Sequence, residues 1–355
     1  MERVETMSRA TGSRPITRVI IFSVVWIFTA YAAEPGPPRA SEGCGARSHL
    51  TPGESVSRSI RVGELEREYR LHLPSGYDAT IATPLLLVLH GYTGNVMTPD
   101  NDYTDFSAHA DQHGYIVAYP QATGFEFEGR LITSWNDLGC NASPGPQGPI
   151  CTENADDYPT PPECGKPRQC DWCSCHDDVG FIAALLDELE ATLCVDLDRV
   201  FATGMSNGAM FTHRLACDLS DRLAAVAPIS GTIARGFGCA PPSTAKISMI
   251  SFHGTRDEVV RFDGSPSVDG FMYTPTARVV DAWAATDSQG CDDENSPYPT
   301  SKDDVAGLEC VQRANCSSGA EVVACALNVG HDWPRKGEDR YAIDLMWEFF
   351  TKNGR

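Results

Sequence analysis

Positive charge is scarce in this 355-residue chain. Its 28 Lys and Arg stand against 48 Asp and Glu, a formal net charge of −20. Nucleic acid and anionic lipid are held chiefly by neutralising phosphates, so a chain this acidic has no electrostatic means of binding either. Long apolar runs are scarce too. The uncharged stretch from Val19 to Ala32 is shorter than the ~20 residues that carry a helix across a bilayer. No internal repeat is visible.

That short run has another reading. It follows four Arg and ends in Ala30-Tyr31-Ala32, a small-x-small cleavage pattern. Residues 1–32 therefore read as a secretory signal peptide, with an uncleaved signal anchor as the alternative. The mature chain is then expected outside the cell, and off the membrane once the signal is cleaved. All 14 cysteines lie beyond the cleavage site, from Cys44 to Cys325. An even count in an exported chain reads as a disulfide framework of up to seven bridges, with pairing left open. A reducing compartment would instead make Cys170, Cys173 and Cys175, with His176 nearby, a zinc site. Export argues against that, so no metal is expected.

Residues 33–56 read as a loose lead-in. The runs "RSIRV" and "REYRLHLP" suggest a β-pair at a sheet edge, since Tyr69, Leu71 and Leu73 alternate with polar residues. "PLLLVLHG", "YIVAYP", "RVFATG", "AAVAPISG" and "ISMISFHG" are continuous apolar runs, the pattern of strands buried on both faces. A helix is expected near 103–112. In "DDVGFIAALLDELEATL" the residues Val179, Ile182, Leu186, Leu189 and Leu193 step by three and four, as one helix face does. "YAIDLMWEFF" closes the chain as an amphipathic helix. Alternating strands and helices imply one α/β domain over about 57–355, a mostly parallel sheet covered on both faces. Two Cys-rich insertions break the rhythm, near 140–175 and 291–325. Either they are stapled surface loops, or they form a rim that shapes a cleft.

The chemistry centres on "RVFATGMSNGAM". Gly204-Met205-Ser206-Asn207-Gly208 is a G-x-S-x-G at a strand-to-helix turn, the nucleophile elbow of α/β hydrolases. The turn is too tight for side chains beside the serine, and the helix behind it favours developing negative charge. A nucleophilic serine needs a base and a group to orient that base, in the chain order Ser, acid, His on this fold. Asp257, just past "ISMISF", is the acid candidate, with Glu258 and Asp263 as neighbours able to take the role. His331, after an apolar run and a glycine, is the base candidate. His253 also ends a strand, but it precedes the acid. Backbone N–H groups of Tyr92, in "LHGYTGN", and Asn207 would form the oxyanion hole.

Together these motifs resemble the secreted polyhydroxybutyrate depolymerase / type C feruloyl esterase group of α/β hydrolases. The chain carries Gly43-Cys44-Gly45, "REYRLHLPSGYD", "LHGYTGN", "SWND" with Trp135, "DDVGF", "RVFATGMSNGAM", "HGTRDEVV" and "GHDWP" in the family's order. The resemblance implies Ser206 as nucleophile, Asp257 as acid and His331 as base, which agrees with the reading from the residues. It departs from the family in its longer Cys-rich 140–175 segment and in Asp332 after the histidine. The resemblance implies a serine esterase working through an acyl-enzyme without cofactor. The expected substrates are feruloyl-type esters on plant polysaccharide, or alternatively 3-hydroxybutyrate oligoesters. Tyr92 and Trp333 are candidates for stacking on a phenolic acyl group. A catalytically dead binding module and a peptidase or thioesterase are the rivals. Oligomeric state is left open.

Overall fold

Strands that are apolar along their whole length need a layer on each face, and the third strand shows both. Leu85, Leu87 and Leu89 point into one core, while Leu86 and Val88 point into another. The computed structural model describes residues 37–46, 49–97, 105–137, 139, 143–165, 170–302, 305–334 and 341–355. The described residues from Pro38 to Arg355 belong to one compact unit. The signal segment 1–32 and its cleavage site lie outside the described residues. Among those residues no helix is long and apolar enough to cross a membrane.

In chain order the elements are β1 (Ser55–Val62), β2 (Leu65–His72), β3 (Thr83–Leu89), α1 (Asp105–His113), β4 (Ile116–Pro120), β5 (Gly124–Phe127) and β6 (Arg130–Thr133). Then come α2 (Asp178–Thr192), β7 (Val195–Met205), α3 (Asn207–Asp218), β8 (Ala225–Ile229), β9 (Ser248–Gly254) and α4 (Thr276–Ala284). The chain closes with β10 (Asn295–Pro297), β11 (Leu308–Arg313), β12 (Val322–Leu327) and α5 (Tyr341–Lys352). Ten strands form one sheet in the order β1-β2-β4-β3-β7-β8-β9-β12-β11-β10. The centre, β4 to β12, is parallel, and the pairs at both edges are antiparallel. This is the α/β-hydrolase fold with a mixed sheet. Helices α2, α3 and α4 pack on one face, and α1 and α5 on the other.

Two segments differ from the sequence expectation. The lead-in is pinned rather than loose: the Ser41 N–H donates to Val195 O at 2.9 Å, and Cys44 is bonded to Cys194. Gly43 permits the approach, since a Cβ there would lie 2.5 Å from the Leu193 backbone. The segment 291–325 is the sheet edge itself, because β10, β11 and β12 fall within it or end just past it. Its disulfides, Cys291–Cys316 and Cys310–Cys325, join neighbouring strands and turns.

A buried ion pair ties the antiparallel edge to α2. Arg67 Nη2 donates to Asp178 Oδ1 at 2.7 Å, and the Asn136 N–H donates to Oδ2 at 2.8 Å. Both side chains are buried, and the guanidinium lies 4.0 Å over the Phe181 ring. Burial pushes the Asp178 carboxyl up against the opposing pull of Arg67. Removing one partner of such a pair strands a buried charge. Arg67→Met is expected to cost about 3–5 kcal/mol in denaturant unfolding, and adding Asp178→Leu to regain part of that loss.

Candidate active site

Ser206 links β7 to α3 with φ 55° and ψ −121°, a left-handed backbone that costs a residue with a side chain roughly 1–3 kcal/mol. The surroundings over-determine it. The Ser206 N–H donates to Ile229 O at 3.0 Å, and its carbonyl accepts from the Ala209 and Met210 amides at 2.9 and 3.0 Å. The two flanking glycines have a steric reason. A Cβ on Gly204 would lie 2.6 Å from the Gly208 carbonyl carbon, and one on Gly208 would lie 2.5 Å from His90 O. The start of α3 therefore touches the end of β3.

Trp135 joins the elbow to the loop after β3. Its N–H donates to Asn207 Oδ1 at 2.6 Å, the Asn207 amide donates back to Trp135 O at 3.1 Å, and its indole N–H donates to His90 O at 2.9 Å. The ring stacks on Phe211 with centroids 5.0 Å apart. His90 is a neutral brace. Its Nε2 accepts from the Ala122 N–H at 3.0 Å, so the proton sits on Nδ1, which donates to Gly91 O at 2.7 Å. Burial lowers its pKa to about 4. In the same loop Thr93 N–H goes to Thr133 O and Gly94 N–H to Gly91 O. The N–H groups of Tyr92 and Asn207 donate to nothing among the described residues. These two amides are the ones the sequence reading expected in an oxyanion hole.

The acid and the histidine come from adjacent strand ends. The Arg256 N–H donates to Val329 O at 3.0 Å and the Thr255 N–H to Leu327 O at 2.7 Å, which zips the loop after β9 to the loop after β12. Asp257 Oδ2 then accepts from His331 Nδ1 at 2.8 Å. Its other oxygen accepts from the Val259 and Val260 amides at 2.9 and 2.8 Å. Burial opposes the charge, but hydrogen bonds from His253, His331 and the Val260 amide hold this carboxyl well below the usual range. Glu258 and Asp263 are exposed and make no contact with His331; Asp263 accepts from Ser265 instead. His253 is buried, with its Nε2 3.5 Å from Asp257 Oδ2. Its Nε2 donates to Val260 O at 2.7 Å, and its Nδ1 lies 3.3 Å from Thr276 Oγ1, so it braces the Asp257 loop.

Ser206, His331 and Tyr92 line one cleft of about 320 Å³. Its other walls are largely aromatic: Tyr158, Trp172, Phe271 and Tyr273. Tyr158 and Trp172 belong to the Cys-rich insertion, so that segment shapes the cleft. Cys151–Cys170 and Cys164–Cys175 hold it, which commits two of the cysteines considered as zinc ligands to disulfides. The insertion also zips to the 267–273 strip. Thr152 and Asp156 amides donate to Gly270 and Asp269 carbonyls, and the Tyr158 hydroxyl donates to Asp269 Oδ2 at 2.8 Å. Tyr92 meets both new aromatics edge-on at 5.4 Å. Trp333 does not line the cleft and packs on Phe106. The sequence reading missed Tyr158 and Trp172 because no periodicity marks them. Their aromatic character between paired cysteines was the available signal.

A serine elbow and a His–Asp pair on this mixed sheet are the arrangement of the α/β-hydrolase fold. No protein-family model matches the chain. It is 28% identical over 327 residues to the putative esterase NocK of Nocardia uniformis subsp. tsuyamanensis, covering 85% of this chain and 83% of that protein. It is 25% identical over 335 residues to feruloyl esterase C of Emericella nidulans, covering 94% and 98%. Feruloyl esterase B of Piromyces equi is 26% identical over 291 residues, of which this chain spans 45%. Among solved structures, an acetyl xylan esterase from Aspergillus awamori superposes with TM-score 0.51 at 15% identity, over 83% of this chain and 99% of that one. The chain is thus similar to esterases, feruloyl esterases among them, and shares the α/β-hydrolase fold of the acetyl xylan esterase.

Because Asp257 stays ionised below the ordinary carboxylate pKa of about 4, it contributes stability above that pH which is lost as the pH falls below it. Asp257→Asn is expected to flatten the acid limb of the stability profile measured by denaturant unfolding, and to lower kcat by about 10⁴. An unchanged acid limb together with full activity would remove Asp257 from the site.

Proposed function

We propose that this protein is a serine carboxylic-ester hydrolase of feruloyl type, acting on hydroxycinnamoyl or related esters of plant polysaccharide. The observation that carries the reading is the 2.8 Å His331–Asp257 hydrogen bond, with Ser206 and His331 lining one aromatic-walled cleft. Ser206 Oγ attacks the ester carbonyl while His331 Nε2 takes its proton. Asp257 fixes the tautomer and stabilises the imidazolium. The tetrahedral oxyanion sits between the Tyr92 and Asn207 amides. Its collapse breaks the C–O bond to the alcohol, which leaves with the proton from His331. Water, deprotonated by His331, then attacks the acyl-enzyme and releases the acid. The elbow's left-handed backbone and the helix behind it support this use of Ser206.

The walls support an aromatic acyl group over a 3-hydroxybutyrate unit. Tyr92, Tyr158, Trp172 and Phe271 offer edges and faces for stacking. The Tyr92 hydroxyl is buried with no partner among the described residues, and burial raises its pKa to about 12. It stays protonated and can donate to an oxygen on the acyl group. The six disulfides between described residues support a working place outside the cell.

Ferulate release from methyl ferulate is expected for the unsubstituted protein and abolished in Ser206→Ala. Persistence of hydrolysis in that variant overturns the assignment. Trp172→Ala is expected to raise KM for methyl ferulate about 10-fold while changing turnover of a short acetyl ester much less. Equal losses on both esters would detach the insertion from acyl selectivity.

A further inference from the structure

A second groove, of about 550 Å³, lies against the catalytic cleft. It is lined by Gln147, Arg235, Gly236, Phe237, Tyr273, Thr274, Pro275 and Arg278, among others, and Tyr273 also walls the cleft. Its charge runs against that of the chain. The whole sequence carries −20, yet the charged residues lining this groove are two arginines and no acid.

Neither guanidinium is neutralised in a way that would close the site. Among the described residues Arg235 makes no ion pair, and its Nη1 rests 3.2 Å from the Met272 sulfur. Arg278 meets Asp281 at 3.5 Å on an exposed face, and that carboxylate is shared with Arg313. The nearest acid in sequence on the far side, Asp263, is exposed and accepts from Ser265. The backbone also keeps the groove open: Gly236 has φ 78° and Gly264 φ 73°, conformations that favour glycine.

An aromatic-walled cleft that shares Tyr273 with a groove lined by two arginines and no acid suits a substrate that is aromatic at the scissile ester and anionic nearby. We infer that this groove is a binding subsite for a carboxylate-bearing sugar, a uronic acid residue of the polysaccharide that carries the ester. The inference rests on the proposed esterase reading for its biological sense, but the groove's binding does not depend on catalysis. A guanidinium accepts a carboxylate in a two-point geometry that a neutral pentose or hexose cannot reproduce.

The test is calorimetric titration of the protein with trigalacturonate, which has no ester, beside neutral xylotriose and acetate at equal carboxylate concentration. Binding of trigalacturonate alone is expected, weakening as salt is raised. The Arg235→Gln/Arg278→Gln double variant is expected to bind it about 5- to 10-fold more weakly, as loss of two partly exposed charge contacts implies. No binding, equal binding by the double variant, or a match by xylotriose or acetate overturns the inference. Methyl ferulate hydrolysis by the same preparation reads the catalytic assignment separately, so failure of one does not mimic failure of the other.

Discussion

The contact between the first turn of α3 and the end of β3 is the constraint on which the rest of the site depends. Gly208 has no Cβ, so α3 can start directly against the Leu89 and His90 carbonyls. That approach sets Ser206 beside the loop that carries Tyr92. Trp135 then locks the arrangement by hydrogen-bonding both partners, Asn207 on the helix and His90 on the loop. His90 extends the lock to the end of β4 through the Ala122 amide. Catalytic groups held through backbone contacts on a rigid sheet keep their geometry without reorganising when charge develops.

The His331–Asp257 half of the site is built by a different device. Loops after the adjacent strands β9 and β12 are joined by backbone hydrogen bonds, and Gly254 lies against the Val329 and Gly330 carbonyls. His253 fills the space beneath as a structural brace. The two halves meet at the cleft because parallel strands present all their C-terminal ends at one edge of the sheet.

Much of this was legible in the sequence, for physical reasons. Glycine at 204 and 208 is a steric demand, and continuous apolar runs mark strands covered on both faces. Chain order separated His331 from His253 even though both end strands beside glycine. The cleft walls were not legible, because Tyr158 and Trp172 sit in a segment held by disulfides and by pairing with residues more than 100 positions away. The strip 291–325 read as a loop because its edge strands are short and partly exposed, which hides the alternation. Trp333 was a candidate for stacking on an acyl group, yet its ring turns toward Phe106 on the α1 side of the sheet.

The crosslinks of the cleft wall have a further consequence. Cys151–Cys170 and Cys164–Cys175 close within the insertion itself, and neither reaches the strands that carry Ser206, Asp257 or His331. The wall is thus crosslinked within itself and joined to the rest of the site by hydrogen bonds alone among these contacts, to the 267–273 strip and, through Cys173 Sγ, to the Asn207 amide at 3.8 Å. Because covalent crosslinks confine the wall's stiffness to the insertion, its contacts with the sheet can yield without breaking a bond of the chain that carries Ser206, Asp257 or His331.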